Sequence, residues 1–463
     1  MNTRIRQMAS MLFLYGTGIA VALALPLQQL DFSLHKLGQG ESEPTLLIVG
    51  GIQGDEPGGF NAASLLVTDY QVKHGNVWVV PNLNFKSIIQ RSRGIHGDMN
   101  RKFLKLGQLD PDYAAVQKIK SIILDKRVSM ILNLHDGSGF YYPKYEDKLR
   151  NPKRWGQSII IDQSHLSGEG DYVALESIAK HLSTQANTRI DTPRHHFHVK
   201  NTFTSDGDHE MEKTLTYFAA RHLKPAFGVE ASKSFLTHER AFFHLQVIES
   251  AMKYLGIRYQ REFELSKQQL KDRIDNNVQI SFYEDKISFD MQNARKKIRF
   301  VPFKKDSPLR VNSSNPLVAI INDRNHYRVQ YGNRHITRLM PDYFEYDDSI
   351  KGIDMMIDGE SRFVPFGTHV NVQKYFEIDE LQDYRVNVIG YYGKSGRDED
   401  GEVIAYQDIV KKFSVDKAAK RFRVEVYADQ RYCGMVIVDF RSKPYARKTT
   451  SPNKKIINTD SET

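Results

Sequence analysis

Cysteine is almost absent from this chain of 463 residues, and that absence narrows its chemistry. The lone Cys433 excludes an internal disulfide framework and any cysteine-rich metal site. Neither a Walker A loop nor a Rossmann fingerprint is present, so the sequence carries no glycine motif for binding phosphate groups. Beyond residue 24, no apolar run is long enough to span a membrane. Any metal site would therefore have to use histidine, carboxylate or amide side chains.

The composition is otherwise that of a folded protein. Hydrophobic residues make up 40% and charged residues 26% of the chain, which is ordinary for globular domains. The length predicts about three domains, because a single core of this size would be unusual. A net charge of +9 and a pI near 9.2 fit an anionic partner, but a basic tail or a need for solubility would produce the same balance.

The first residues have the pattern of an export signal. Arg4 and Arg6 precede an apolar run that starts near Met8 and ends at Ala22-Leu23-Ala24, a small-residue pattern typical of signal-peptidase cleavage. We therefore predict a signal peptide at residues 1–24 and export across an inner membrane. The alternative is an uncleaved anchor, because the run approaches the ~18 to 20 residues that span a bilayer.

An α/β domain is predicted from residue 25 to about residue 260, where buried strand-like runs alternate with amphipathic helical stretches. The predicted strands are residues 46–49, 76–80, 128–134 and 226–229. The predicted helices are residues 60–70, 113–125, 171–186 and 239–255. Such alternation indicates a largely buried sheet with helices against it.

Polar side chains follow the predicted strands at the points where the strands end. Gln53 and Glu56 come after the first strand, His135 after the third and Glu230 after the last. Open α/β sheets bind ligands in the crevice at this edge, so these side chains can converge on one point. Oxygen atoms together with an imidazole suit a cation, although any one of these residues alone would more often be a cap or a surface group.

A basic loop lies between the first of these segments and His135. Residues 90–101 read QRSRGIHGDMNR and place arginines beside glycines. Arginine pairs with carboxylates through two parallel hydrogen bonds, so the loop suggests an anionic group on the ligand. A solvated basic loop is the alternative interpretation.

Taken in order, these residues resemble the landmarks of a known enzyme family, the zinc carboxypeptidases of the carboxypeptidase A type. The landmarks are Gln53-Gly54-Asp55-Glu56, Arg93, Asp98-Met99-Asn100-Arg101, His135 and Glu230. The resemblance is greatest to the periplasmic D,L-carboxypeptidases that trim peptidoglycan and set helical cell shape in curved Gram-negative bacteria, which also have glutamine in place of the first histidine. It implies a periplasmic α/β enzyme whose catalytic domain has a twisted mixed sheet flanked by helices, followed by two small β-rich domains.

The resemblance also implies a role for each landmark. Gln53, Glu56 and His135 would hold one zinc ion, and weakly, because an amide oxygen replaces an imidazole nitrogen. Glu230 would be the general acid and base. The groups expected to anchor the terminal carboxylate of the substrate and stabilise the developing oxyanion are Arg93, Asn100 and Arg101.

Past residue 260 the pattern changes to short alternating runs typical of β domains. We predict a barrel-like β domain at residues 261–348, an immunoglobulin-like sandwich at 349–443 and a disordered basic tail at 444–463. Residues 295–310 hold seven basic side chains against one acid, Asp306. Contact with an anionic polymer and a solvated strand face are both compatible with this segment.

The function predicted from the resemblance is removal of the terminal meso-diaminopimelate from peptidoglycan tripeptides. Muropeptides are the expected partners, with cell-shape proteins bound through the β-rich domains and no nucleic acid. Two alternatives stay open: a zinc amide hydrolase of the aspartoacylase or desuccinylase kind, and a wall-binding scaffold whose site has decayed, as Gln53 would suggest. Export and the extra domains argue against the first, and Glu230 with the Asn100-Arg101 pair argues against the second.

Overall fold

The computed structural model describes residues 30–38, 40, 44–276, 278–393 and 398–441 of the chain. The predicted signal peptide and basic tail lie outside the described residues. Within the described ranges, no helix is both long and apolar enough to cross a membrane.

The amino-terminal part of the structure is built on a mixed sheet. Its strands are β1 (His35–Leu37), β2 (Thr45–Val49), β3 (Tyr70–His74), β4 (Asn76–Val80), β5 (Val128–Gly137), β6 (Phe140–Tyr141), β7 (Arg150–Asn151), β8 (Ser158–Ile161), β9 (His198–Asn201), β10 (Ala226–Ser232) and β11 (Arg258–Arg261). Seven of them form one sheet in the order β1-β4-β2-β5-β10-β8-β9. The central strands β4, β2, β5 and β10 run parallel, whereas β1 and β8 run antiparallel to β4 and β10. Strand β2 is buried along its whole length, as its unbroken apolar sequence predicts for a central parallel strand.

Helices cover both faces of this sheet. They are α1 (Pro57–Asp69), α2 (Phe85–Gln90), α3 (Tyr113–Ile123), α4 (Leu175–Asn187), α5 (Leu215–Arg221), α6 (Thr237–Tyr254) and α7 (Lys267–Asn276). Apolar side chains of α1, α4, α6 and α7 join the core on one face, and those of α3 and α5 join the core on the other. In α3 the buried positions Val116, Ile119 and Ile123 recur at the spacing of one helical face.

Two of the predicted strands extend further than the sequence pattern indicates. β5 continues to Gly137 and β10 to Ser232, so His135 and Glu230 lie inside strands and not just past their ends. The parallel ladder between β5 and β10 continues through the last residues of both strands. The prediction ended each strand at its first polar residue. The hydrogen bonds of the ladder are made by the backbone and do not depend on side-chain polarity, so both strands continue.

Beyond α7 the described residues, 278–393 and 398–441, form β structure apart from single helical turns. The next strands are β12 (Gln279–Phe282), β13 (Ile287–Asp290), β14 (Lys297–Lys304), β15 (Val311–Ser313), β16 (Val318–Asn322), β17 (Tyr327–Tyr331) and β18 (Arg334–Phe344). They form a three-stranded sheet, β13-β12-β15, and a four-stranded middle sheet, β14-β18-β17-β16. Ser64 of α1 donates a hydrogen bond of 2.9 Å to Asn315, and Gly332 lies so close to Phe60 of α1 that a Cβ atom there would be 3.1 Å from the ring. One continuous apolar core therefore runs from the helices into these sheets.

The last sheets have a core of their own. Their strands are β19 (Gly352–Ile357), β20 (Glu360–Pro365), β21 (His369–Asn371), β22 (Tyr375–Ile378), β23 (Arg385–Val388), β24 (Ile404–Ala405), β25 (Arg421–Ala428) and β26 (Arg431–Asp439), in the orders β20-β19-β22-β24 and β21-β26-β25-β23. β25 and β26 pair as an antiparallel hairpin. The thiol of Cys433 on β26 is fully buried, and burial raises its pKa to about 11.

The predicted fold class, an α/β domain with a mixed sheet followed by β-rich structure, is confirmed. The exact domain boundaries stay predictions.

Candidate active site

The loop between β2 and α1 carries the first pair of site residues, Gln53 and Glu56, both almost fully buried. Pro57 occupies the first turn of α1, where its missing N–H has no helical partner to lose. Gly54 is required in this loop, because a Cβ atom there would lie 2.0 Å from the carbonyl carbon of Ser87 in α2. The loop is thus held against α2 with both polar side chains directed toward β5.

His135 of β5 is the point on which this pair converges. Its Nδ1 atom lies 3.2 Å from Oε1 of Gln53 and 3.0 Å from Oε2 of Glu56. Glu230 is the direct neighbour of His135 in the parallel β5–β10 ladder, so the two side chains emerge on the same face of the sheet. The structure therefore brings together the polar side chains that the sequence analysis assigned to the strand ends.

The two distances from Nδ1 of His135 to the oxygens of Gln53 and Glu56 are close to those that a tetrahedral zinc ion requires. Zinc bonds of about 2.0 to 2.2 Å place neighbouring ligand atoms about 3.3 to 3.6 Å apart. The observed separations from Nδ1 of His135 are 3.0 and 3.2 Å. To accommodate a zinc ion, they would need to widen by only roughly a few tenths of an ångström. Among the described residues, no group of three His, Cys, Asp or Glu side chains is arranged to hold a metal, so the amide of Gln53 is what completes this donor set.

The orientation of the Gln53 amide is fixed by Asp98. Nε2 of Gln53 donates to both carboxylate oxygens of Asp98, at 2.8 and 2.9 Å, and this leaves Oε1 facing His135. Burial raises the pKa of Asp98, but the hydrogen bond from Gln53 and the charge of Arg93 outweigh it and lower the pKa overall. The carboxylate is thus kept ionised and holds the amide with its oxygen toward the candidate metal position.

The other ring nitrogen of His135 faces a second amide. Nε2 lies 2.8 Å from Nδ2 of Asn133, while the buried Oδ1 of Asn133 has no hydrogen-bond partner among the described residues. Turning this amide over would let the Nε2–H group of His135 donate to Oδ1. Nδ1 would then be unprotonated and able to bind a metal. The unpartnered acceptor is a second observation that fits a metal at Nδ1.

Negative charge is concentrated around the imidazole. Burial raises the pKa of Glu230 to about 8; Glu56 and Asp136 add to this rise, and His135 opposes it. Burial lowers the pKa of His135, but its hydrogen bond to Glu56 and the surrounding carboxylates outweigh burial, and the pKa is raised overall. A bound cation would relieve this crowding, because it favours the ionised form of each neighbouring carboxylate.

Arg93 and Asn100 border the candidate metal position. Nη1 of Arg93 lies 3.7 Å from Oε1 of Glu56, and its Nε donates to Asp98 at 2.9 Å. Nδ2 of Asn100 lies 3.5 Å from Nε2 of His135. Arg93 is therefore a direct neighbour of Glu56, and Asn100 is a direct neighbour of His135.

Arg101 is placed differently from the other predicted substrate-binding residues. Its Nε lies 3.6 Å from a carboxylate oxygen of Glu210, and its Nη1 donates to the backbone carbonyl of Asn100. The guanidinium is partly exposed, so its charge is available at the rim of the site while Glu210 shares it.

Lys233 is a residue of this site that the sequence analysis did not identify. Its Nζ lies 3.3 Å from Oε1 of Glu56 and 3.9 Å from Oδ2 of Asp55. Its backbone N–H donates to the carbonyl of Gly137, which fixes the chain just after β10. The sequence did contain a signal for Lys233, because this residue follows the strand of Glu230 as Gln53 follows β2.

Asp136, the residue after His135, connects the site to the surrounding helices. It lies in β5 with its side chain buried, and accepts hydrogen bonds from the backbone N–H of Gly58, from Arg240 and from His244. Its own backbone N–H donates to Oε2 of Glu56 at 3.1 Å. Asp136 thereby fastens β5 to α1 and α6, and its backbone positions a candidate metal ligand.

Fold and site together define a metallo-carboxypeptidase, and comparison with protein families agrees. Residues 10–275 match the family model described as the catalytic part of a carboxypeptidase controlling helical cell shape, and residues 346–441 match the C-terminal domain of a metallo-carboxypeptidase. The chain belongs to this family of cell-shape carboxypeptidases, as its sequence landmarks predicted.

Solved structures similar to this chain include the cell shape determinant protein Csd4 from Helicobacter pylori. The apo form is 36% identical over 89% of this chain and 100% of its own, with a TM-score of 0.79. The tripeptide-bound form gives the same values. An mDAP-bound form of that protein, described as a D,L-carboxypeptidase, matches 88% of this chain and 100% of its own at 36% identity and a TM-score of 0.79. Comparison with curated proteins finds no match.

Proposed function

We propose that this protein is a periplasmic zinc D,L-carboxypeptidase that removes the terminal meso-diaminopimelate from peptidoglycan tripeptides. The observation that carries the proposal is the convergence of Gln53 and Glu56 on Nδ1 of His135, beside Glu230. Family membership supports the reaction class. The tripeptide and mDAP bound to the similar Csd4 protein support the substrate.

Each residue of the site has its own task in this reaction. Gln53, Glu56 and His135 would hold the zinc ion, which when bound would supply a Lewis acid for the scissile carbonyl and lower the pKa of water. Glu230 takes a proton from the attacking water and delivers it to the leaving amine. A Cβ atom on Gly137 would lie 2.8 Å from Oε2 of Glu230. Glycine at this position therefore leaves the carboxylate room to move between the attacking water and the leaving amine.

The cations around the site suit the charge of the substrate. A tripeptide that ends in a diamino dicarboxylic acid carries its terminal carboxylate and a second carboxylate on the side chain. In this proposal Arg93 and Arg101, with the amide of Asn100, hold the terminal carboxylate and the developing oxyanion. Their positions at or near the donor set support this role. Lys233 adds a further positive charge beside Glu56.

The direct test is incubation of the purified protein and zinc with a muropeptide tripeptide, followed by mass spectrometry. Loss of the terminal diamino acid is the expected result, and the Glu230→Gln variant is the matched inactive control. No change in the tripeptide with zinc supplied would favour a wall-binding scaffold. Cleavage of small N-acyl amino acids with the tripeptide left intact would favour an acylase instead.

The cellular location has its own measurement. Protein from the periplasmic fraction should begin near Leu25, because Ala22-Leu23-Ala24 is the expected cleavage signal. An intact Met1 in the membrane fraction would support an uncleaved anchor.

A further inference from the structure

The middle sheet carries a row of cationic side chains in register. Lys297 of β14 pairs with Arg338 of β18, and Arg338 pairs in turn with Arg328 of β17. Residues directly opposite each other point to the same face of a sheet, and neighbouring strands lie about 5 Å apart. These cations therefore stand side by side across three adjacent strands.

Such a row lowers stability unless an anionic group meets it, because like charges directly opposite each other in a sheet are destabilising. In the part of the chain that the structure describes, Lys297 and Arg338 form no ion pair, and Arg328 meets only Asp323, at 3.7 Å. Burial lowers the pKa of the nearby His335, and the charges of Arg338 and Arg328 lower it further. The described residues therefore leave this positive charge largely uncompensated.

Most basic side chains of the segment at residues 295–310 also lack an ion pair with any described residue. Arg295 is structural, since its guanidinium donates to the backbone carbonyls of Ser414 and Lys411. The other basic residues of the segment form no ion pair with any described residue; they are Lys296, Lys297, Arg299, Lys304, Lys305 and Arg310. Five of these six are exposed and Lys304 is half-buried, so their positive charge is accessible to an anionic ligand.

A bulge on β14 presents an aromatic ring beside these cations. The ladder with β18 shifts register between Ile298 and Val301, and Phe300 has a φ of 53° and is 66% exposed. That conformation is strained for a bulky residue. Buried Arg423 of β25 maintains it by donating to the carbonyls of Arg299 and Phe300, at 2.9 and 2.8 Å. Strain held in place by a neighbouring sheet, with a large ring turned to solvent, indicates a binding role.

We infer that the cationic face, defined by Lys297, Arg338, Arg328 and the Phe300 bulge, binds the peptidoglycan polymer outside the catalytic site. The identity of the polymer rests on the proposed function. Peptide stems supply the carboxylates that meet the cations, and sugar rings supply flat faces that pack on Phe300. A protein partner fits less well, because protein interfaces have an apolar centre depleted in charge and this face has one exposed ring among cations. Binding here would keep the enzyme on its insoluble substrate between cleavage events.

The test is sedimentation of the full-length protein with purified sacculi over a range of salt concentrations. The variant is Lys297→Gln/Arg338→Gln, and the matched control is Lys73→Gln/Lys126→Gln, which removes the same charge from exposed positions of the catalytic part. We expect the variant to bind sacculi about five-fold more weakly than the wild type, from the usual worth of two exposed charge pairs, and with a shallower salt dependence. The control should bind as the wild type does. Phe300→Asn, which tolerates the left-handed backbone but lacks the ring, should also weaken binding.

All these variants should hydrolyse a soluble tripeptide at the wild-type rate, because the row lies on a different sheet from His135. Equal sedimentation of variant and control would overturn the inference, as would undiminished binding of the wild type to sacculi whose carboxylates have been amidated. Unchanged sedimentation together with loss of a crosslink to an acidic protein would assign the face to a protein partner instead. Absence of tripeptide hydrolysis in every sample would defeat the proposed function and leave the sedimentation result to decide the face by itself.

Discussion

At the scale of single residues, the glutamine among the candidate metal ligands sets how firmly the site can hold zinc. An amide oxygen is a poorer zinc ligand than a neutral imidazole. Gln53→His should therefore raise zinc affinity, and Asp98 can accept from the second ring nitrogen as it now accepts from the amide. Gln53→Ala should lower both affinity and activity. Calorimetric zinc titration of the wild type and both variants measures the effect.

Tighter zinc binding need not bring faster turnover, because a stronger donor changes the Lewis acidity of the metal. We expect Gln53→His to have equal or lower activity than the wild type. Indistinguishable zinc affinities in all three proteins would show that Gln53 is not a ligand.

Glu230 permits a separation of chemistry from metal binding. Glu230→Gln keeps the size and most of the hydrogen-bonding shape of the side chain but cannot accept a proton. Turnover should fall by the ~10² to 10⁴ typical of a general acid or base. Zinc content, measured on the same samples by atomic emission, should stay at the wild-type level, since Glu230 is not among the donors that converge on Nδ1 of His135. Near-normal turnover would remove Glu230 from the mechanism.

At the scale of secondary-structure elements, Asp162, which follows β8, imposes a stability penalty because its buried carboxyl group is costly to ionise. Asp162 is buried, accepts a hydrogen bond from Thr204 at 2.7 Å, and has one carboxylate oxygen with no partner among the described residues. Burial raises its pKa to about 6. The folded state therefore holds the carboxyl proton of Asp162 more tightly than the unfolded chain does, where an aspartate titrates near about pH 4. The contribution of Asp162 to the stability of the fold thus falls as the pH rises from about 4 to 6.

Asp162→Asn should remove this penalty, because an amide cannot ionise and can still accept from Thr204. Stability at pH 7 should increase by roughly 1 to 3 kcal/mol, the order of two pKa units. At pH 4 the gain should vanish. Urea denaturation at both pH values measures the difference, with Asp306→Asn in an exposed turn as the control. A gain of the same size at pH 4 would show that ionisation is not its source.

Elements with unbroken apolar runs were predictable from the sequence, and elements defined by distant partners were not. β2 and β4 were predicted closely because a buried parallel strand is apolar on both faces. β8 was missed although it is buried, because its apolar run covers only the three residues 159–161. β9 was missed because this polar segment is a strand only through its ladder with β8. The order of the site residues along the chain was enough to predict that His135 and Glu230 lie together, and the ladder between β5 and β10 shows that they do. The parts played by Asp98, Asn133 and Lys233 depend on contacts that the sequence order does not encode.

At the scale of the whole molecule, the continuous core makes the α/β part dependent on the sheets that follow it. Phe60 and Ser64 of α1 contact Gly332 and Asn315. A chain cut to residues 25–276 would expose this surface to water. We expect it to melt roughly 10 °C or more below the 25–441 chain, the shift that a loss of several kcal/mol produces in a domain of this size, and to aggregate. Calorimetry and gel filtration of both proteins test this, and equal melting temperatures would show that the two parts are independent.

The buried thiol on β26 has a practical consequence for following the molecule in time. Reagent access and thiolate formation both await opening of the sheet that contains Cys433, because its pKa is raised to about 11. The native protein should stay unmodified by a thiol reagent at pH 8 for hours, and urea should release one reactive group per chain. The modification rate in water then records how often this sheet opens. Since the chain has no other thiol, each disulfide-linked dimer on a non-reducing gel marks two molecules that had opened there.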